Sequence, residues 1–318
     1  MRRQKIEDEQ LKFDNPKSQI QNPKSEAPHQ PVLLREVLEF LHVQPDGNYI
    51  DATLGAGGHA AEVLRILERG KGKLLGIDRD PIAAGLARRR LPGHEERLIV
   101  RVGNFANIDA LHAASGLPPA DGILADLGMS SMQVDDASRG FSFSMPGRLD
   151  MRMDSETTTT AEEIVNHAKE RELADIFFKL GEERHSRRIA RAIVKARPIR
   201  STTELAQVVT RAIPSRAGLH QIHPATRVFM ALRLAVNQEL ESLDSFLAKV
   251  FELMAAGGRL VVISFHSLED RRVKQALVAA RQEGTARIIT KHVVRATEEE
   301  VRENPRSRSA KLRCAEII

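Results

Sequence analysis

The run Gly55-Ala56-Gly57-Gly58-His59 lies between a strand-like segment and a helix-like one, and two acids, Asp78 and Asp126, close later strand-like segments. Glycines at a strand-to-helix turn let the backbone approach a ligand closely, because no Cβ stands in the way. The helix that begins there adds a partial positive charge at its N-terminus. An acid at the end of the second strand is where nucleotide-binding sheets hold ribose hydroxyls. Gly55, Gly57 and Ala60 satisfy the G-x-G-x-x-G/A spacing of dinucleotide binders, so spacing alone leaves NAD and S-adenosylmethionine both open, with a plain tight turn as the third reading.

Other residues tilt the choice. The strand entering the loop is polar, with Asp51 and Thr53, whereas dinucleotide-binding strands are usually apolar up to the first glycine. Asn104-Phe105 follows the third strand and offers a ring to lie against adenine, and Asp126 ends the fourth strand beside the expected switch point. A cationic sulfonium suits a site with carboxylates better than a pyrophosphate does. The expected cofactor is S-adenosyl-L-methionine, and the expected reaction is methyl transfer.

The acceptor can be narrowed too. Methylation at cytosine C5 needs a thiolate that adds to the ring, and the only cysteine, Cys314, lies in the last strand, far in sequence from both loops. Transfer to an exocyclic amine needs acceptors that hold its N–H groups and draw the delocalised lone pair towards the methyl carbon. Asp126-Leu127-Gly128-Met129-Ser130-Ser131 supplies a carboxylate and backbone carbonyls for that task, with the base flipped or single-stranded. The alternative, that Asp126 caps the next turn or holds the cofactor, stands level with it. In Ser264-Phe265-His266-Ser267-Leu268-Glu269-Asp270-Arg271, His266 either touches substrate or caps the turn, so Asp126 and His266 are the candidate catalytic side chains. No metal site is expected: Asp150 and Asp154 are two carboxylates beside Arg148 and Arg152, and His220 and His223 lack partners for zinc.

These residues need a scaffold, and hydrophobic patterning supplies one. A helical pattern covers 33–41, strands are expected at 48–54, 73–78, 98–102 and 122–126, and helices at 60–69 and 81–90. Short apolar strands between amphipathic helices indicate a parallel sheet covered on both faces. Between about 135 and 220 no strand pattern appears, only a Gly/Ser/Asp-rich loop and helices rich in Ala, Glu and Arg. The α/β rhythm resumes with a long helix over about 224–253 and strands at 259–264, 287–290 and 311–315. The expected fold is α/β, a doubly wound Rossmann-like sheet with a helical insertion after its fourth strand. The expected division is a disordered leader at 1–28, a cofactor-binding domain from 29–134 and 223–318, and a helical RNA-recognition insertion at 135–222.

The net charge is +5, and its distribution matters more than its size. Residues 184–233 hold eleven Lys/Arg against one acid, Glu204. Arg184, Arg187, Arg188, Arg191 and Lys195 recur at helical spacing as one stripe, while Ile189, Ala192, Ile193 and Ala196 form another. Solvated faces usually mix signs, so this imbalance reads as a phosphate-tracking surface. Trp is absent and Tyr49 is the only tyrosine, so no aromatic stacking platform is evident. No run of about 18 apolar residues and no signal-peptide core appear, and the single cysteine suits a reducing compartment, so the expected location is the cytoplasm with no membrane contact.

Together the segments resemble the bacterial ribosomal RNA small-subunit methyltransferase H (MraW) family. The matching stretches are His29 to Leu34, Asp51 to His59, Gly76 to Pro81, Asp126-Leu127-Gly128, Arg139 to Phe143, Leu149 to Asp154, Gly181 to Arg184, His223 to Arg227, Ser264 to Arg271 and Asn304 to Ser309. The Asp/Asn-Pro-Pro-aromatic motif of many amino-methyltransferases is missing, and Asp126 to Ser131 stands in its place. The resemblance implies a class I methyltransferase that methylates the N4 amine of a cytidine in the decoding region of 16S ribosomal RNA, within a small-subunit particle. It implies a cofactor site of Gly57, Gly58, His59, Asp78, Phe105, Asp126 and Gln133, and an insertion that helps recognise RNA. The oligomeric state, monomer or homodimer, is left open. The rival functions are an NAD-dependent oxidoreductase and a non-catalytic rRNA-binding assembly factor.

Overall fold

A computed structural model describes residues 31–154, 156–213 and 223–318. The expected leader at 1–28 and His220 lie outside the described residues. The first half alternates as expected: α1 (Leu34–Leu41), β1 (Asn48–Asp51), α2 (Gly58–Leu67), β2 (Lys73–Asp78), α3 (Pro81–Arg90), β3 (Leu98–Val102), α4 (Ile108–Ala113) and β4 (Ala120–Asp126). Helices follow without a described strand: α5 (Ser131–Asp135), α6 (Ala161–His167), α7 (Glu170–Lys179), α8 (Ser186–Ala196), α9 (Thr202–Ala212), α10 (Ala225–Asn237) and α11 (Glu239–Lys249). The chain closes with β5 (Met254–Ser264), α12 (Ser267–Gln282), β6 (Ala286–Ile288), α13 (Glu298–Glu303) and β7 (Lys311–Ile317).

The seven strands form one sheet in the order β3-β2-β1-β4-β5-β7-β6. Pairing is parallel from β3 through β5, but β7 runs antiparallel to both β5 and β6. The expected parallel sheet is observed from β3 through β5, and it departs from that at the far edge, where the chain returns from β6 through α13 and inserts β7 antiparallel between β5 and β6. The doubly wound, Rossmann-like architecture holds. One face of the sheet is covered by α1, α2 and α3 through Val37, Leu41, Leu64 and Ala84 packed with Leu124 and Val261. The other is covered by α4, α11 and α12 through Ile108, Phe246 and Leu277 packed with Ile50 and Ile123. Chain order reverses between β1 and β4, which opens a crevice at their carboxyl ends.

Helices α6 to α10 share a third core that includes Val165, Phe177, Ile189, Ile193, Val209 and Leu232. The helix expected over about 224–253 is two helices, because Gln238 adopts a left-handed conformation with φ 48°. Tertiary bonds stop α10 at that point. The Asn237 amide donates to the Met151 carbonyl at 2.7 Å and accepts from Met153 N at 2.8 Å, while the Arg79 guanidinium donates to the Asn237 carbonyl at 3.1 Å. Arg79 also reaches Asp154 at 2.8 Å, so the loop leaving β4 is tied to the sheet beside β2.

Candidate active site

A cavity of about 870 Å³ opens at the switch point, lined by the glycine loop together with Asp78, Phe105, Asp126, Gln133 and Glu269. All seven expected cofactor residues line it. Gly55 and Gly57 have φ of 54° and 84°, the left-handed region that disfavours side chains. A Cβ on Gly57 would also stand 2.8 Å from Leu91 Cδ1, so a side chain there would force Leu91 to shift. Helix α2 begins at Gly58, and its first-turn N–H groups have no partner within the helix. They offer donors for an anionic group.

Asp78 is fixed by its neighbours before any ligand arrives. Its Oδ2 accepts from Gly55 N at 2.7 Å and its Oδ1 from Asp80 N at 2.8 Å. Burial pushes its carboxyl up to about 6 against the pull of those two bonds, and the nearby Asp80 adds to the rise. Phe105 follows Asn104, whose Oδ1 accepts from Ala106 N at 3.0 Å, and meets Phe246 edge-on with centroids 5.5 Å apart. Gln133 is committed to the wall: Oε1 accepts from Ser130 N at 3.1 Å, and Nε2 donates to Asp80 Oδ2 at 3.1 Å. Arg139 joins them on Asp80 at 3.0 Å, so the loop after β4 is clamped to the start of α3.

Acids cluster around Asp126. Asp51 Oδ1 accepts from Thr53 N at 3.1 Å, and Thr53 Oγ1 accepts from Asp126 N at 2.7 Å, which sets Asp126 in place. Asp126 Oδ2 lies 3.8 Å from His59 Nδ1, while Oδ1 is buried with no hydrogen-bond partner among the described residues. Burial, then Asp51, then Glu269 push the Asp126 carboxyl well above the usual range. Burial also pushes Asp51 up to about 7. A raised carboxyl pKa means that the folded state binds the proton more tightly. Its stabilising share is complete below about pH 4 and is lost as pH rises through about 7. Asp51→Asn, which cannot ionise, is therefore expected to raise stability by about 1–3 kcal/mol at pH 8 and by little at pH 5. Urea midpoints at the two pH values check this, and a gain that is equal at both would contradict it.

His266 does not line the cavity. It caps α12, with Nδ1 accepting from Glu269 N at 3.4 Å and Nε2 3.1 Å from Glu269 Oε1. Glu269 reaches the wall in its stead. Burial would raise Glu269, but His266 and Arg233 outweigh it and hold the carboxyl below its ordinary value. Sequence reasoning passed over Glu269, although the His266-x-x-Glu269 spacing is that of a capping box. Glu239, paired to Arg233 at 2.8 Å, and Arg306, paired to Asp135 at 3.0 Å, also line the cavity and carry no local signal.

The basic stripe is on α8 and just before it. Arg184, Arg187, Arg188, Arg191 and Lys195 are exposed, Ile189 and Ile193 are buried, and Arg191 meets Glu170 at 3.4 Å. Asp150 pairs with Arg152 at 2.8 Å. Among the described residues no group of three or more His, Cys, Asp or Glu is placed to hold a metal. Burial pushes the Cys314 thiol up to about 12, far from a nucleophilic thiolate. No helix among the described residues is long and apolar enough to cross a membrane.

The sequence profile of the MraW methylase family matches residues 26–318. The chain is 50% identical over 295 residues to the ribosomal RNA small subunit methyltransferase H of Koribacter versatilis, covering 90% of this chain and 93% of that relative. It is 48% identical over 295 residues to the protein of that name from Acidobacterium capsulatum (91% and 98% covered). A third, from a Cyanothece species, is 49% identical over 290 residues (91% and 95% covered). The chain belongs to the MraW methylase family.

Proposed function

We propose that this protein transfers a methyl group from S-adenosyl-L-methionine to the N4 amine of a cytidine in the decoding region of 16S ribosomal RNA, acting on a small-subunit particle. The observation that carries the reading is Asp126 Oδ1, buried and unpartnered among the described residues at the floor of a cavity that also holds the glycine loop. Such an oxygen calls for a cation or an N–H donor. Asp78 and Asp126 line that cavity and buried Asp51 adds its repulsion to Asp126, so a sulfonium relieves the crowding of acids whereas a dinucleotide pyrophosphate would add to it.

S-adenosyl-L-methionine supplies an electrophilic methyl group. Asp78, already oriented by Gly55 and Asp80, would accept from the ribose hydroxyls, and the α2 N-terminus would take the methionine carboxylate. Phe105 would pack near adenine, and Gln133 would hold the wall through Asp80. Asp126 would accept an N–H of the target amine, holding its lone pair towards the donor. The helical unit at about 135–222 would carry the RNA through Arg184, Arg187, Arg188, Arg191 and Lys195.

The deciding experiment maps methylated positions in 16S ribosomal RNA from cells with and without this protein, where an unchanged decoding-region cytidine would overturn the reading. Calorimetry with both cofactors excludes the oxidoreductase rival unless NAD alone binds, and labelled methyl transfer to unmodified small subunits excludes the non-catalytic one. Arg187→Glu/Arg191→Glu is expected to weaken RNA binding about tenfold or more at low salt, with cofactor affinity intact. Unchanged RNA affinity would reduce the stripe to a solvated face.

A further inference from the structure

We propose that Phe265 is the platform on which the target base stacks, so that the ring after β5 holds the pyrimidine flat at the β4–β5 end of the cavity. This rests on the nucleobase-methylation reading above. The chain has no Trp and one tyrosine, and that residue, Tyr49, is 1% exposed in the core. The loop after β4, Asp126 to Ser131, holds no aromatic residue either. Two phenylalanines line the cavity, Phe105 and Phe265.

Their places along the sheet separate their tasks. Phe105 follows β3 and Phe265 follows β5, with β2, β1 and β4 between them. Neighbouring strands are about 4.8 Å apart, so the two strand ends lie roughly 19 Å from each other. On the reading above, adenine packs at the β3 end, the ribose sits at Asp78 after β2, and the methionine portion lies at the glycine loop after β1. The β4–β5 end is what remains for the acceptor. The cavity of about 870 Å³ is near the top of the range of about 300–1,000 Å³ that ligand sites span, which leaves room for a base beside the cofactor.

Local bonds pin the ring. In the β4–β5 register Asp126 lies beside Ile263, two residues before Phe265. Leu127 N donates to the Ile263 carbonyl at 2.9 Å, so the loops carrying Asp126 and Phe265 leave the sheet side by side. Phe265 N donates to Glu269 Oε2 at 2.8 Å, which ties the residue to the capped first turn of α12. Gly128 has φ 112°, and a Cβ there would stand 3.4 Å from Phe265 Cδ2, so the glycine backbone faces that edge of the ring. Phe265 packs against the core shared with α1 and α2 and also bounds the cavity. Phe105 meets Phe246, whereas Phe265 has no ring or guanidinium partner among the described residues. A base taken out of its stack loses its neighbours, and an apolar ring at the cavity wall replaces one of them.

A stacking ring can be told from a filler of similar size. In single turnover on unmodified small subunits, Phe265→Leu should raise the half-saturating subunit concentration about 5- to 100-fold, whereas Phe265→Tyr should stay within about threefold of wild type. S-adenosylmethionine affinity should stay within about threefold in both variants. Leucine at wild-type half-saturation, or tyrosine as poor as leucine, would overturn the proposal. Because the chain contains no tryptophan, Phe265→Trp gives it a single emitter at the site. With S-adenosylhomocysteine bound, a decoding-region RNA fragment should quench that emission, and the same fragment made abasic at the mapped nucleotide should not. Equal emission with the two fragments would also overturn it, and this comparison decides alone should Phe265→Leu fail to fold. If the mapped methyl lies on an atom other than N4, the cytidine-amine reading falls while the abasic comparison still reports on the ring.

Discussion

Replacing Asp78 by alanine is expected to cut S-adenosylmethionine affinity by about 10²-fold or more, the value of two charge-assisted hydrogen bonds to ribose hydroxyls. The loss has a second source. Asp78 Oδ2 also accepts from Gly55 N, so alanine strips a partner from the loop that the glycines shape. Asp78→Asn, which keeps an acceptor but no charge, should fall between wild type and alanine. The pH dependence follows from burial, which pushes this carboxyl up to about 6. As pH drops through that value the proton occupies the oxygen that the hydroxyls need, and affinity should decline by up to about tenfold per pH unit. The measurement is best made with S-adenosylhomocysteine, whose neutral sulfur leaves the other acids undisturbed. Calorimetry between pH 5 and 8 should show the decline in wild type and its absence in Asp78→Asn. A flat wild-type curve, or an alanine variant of normal affinity, would remove Asp78 from the cofactor's contacts.

The parts of this site that were legible in the sequence are those fixed by local rules. Apolar strands ending in Asp78 and Asp126, and a glycine run entering a helix, place the crevice because strand ends and helix starts are written within a few residues. The α8 stripe was legible for the same reason, since period 3.6 alone separates Arg187 and Arg191 from Ile189 and Ile193. What stayed hidden is decided by contacts across the chain. The break at Gln238 depends on Asn237 binding a loop more than eighty positions earlier, and no helix signal records that. The reversal of β7 is a matter of strand order, which periodicity cannot report. His266 drew attention as a histidine after a strand, yet the capping geometry hands the cavity wall to Glu269. Gln133, known from the resemblance as a cofactor residue, makes its described bonds to Ser130 and Asp80.

Asp126→Asn is expected to slow methyl transfer by about 10²- to 10⁴-fold while changing S-adenosylmethionine affinity far less than Asp78→Ala does. Asparagine keeps the shape and an acceptor oxygen, but it has neither the negative charge nor the capacity to take a proton. The same substitution gives a thermodynamic signature. With burial opposing ionisation and Asp51 and Glu269 beside it, Asp126 binds its proton more tightly than an ordinary carboxyl does. A sulfonium brought into this cavity favours the ionised form, so binding the charged donor should expel protons into the buffer. S-adenosylhomocysteine lacks the charge and should expel fewer. Calorimetry at pH 7 in buffers of different ionisation enthalpy counts those protons directly. The count should be larger for the charged donor than for the thioether, and most of the difference should vanish in Asp126→Asn. Residual release in that variant would come from Asp51, pushed up to about 7, and should disappear in the Asp51→Asn/Asp126→Asn double variant. Equal proton counts for the two ligands in wild type would mean that the sulfonium does not sit against the acid floor, and the rate loss would then need another cause.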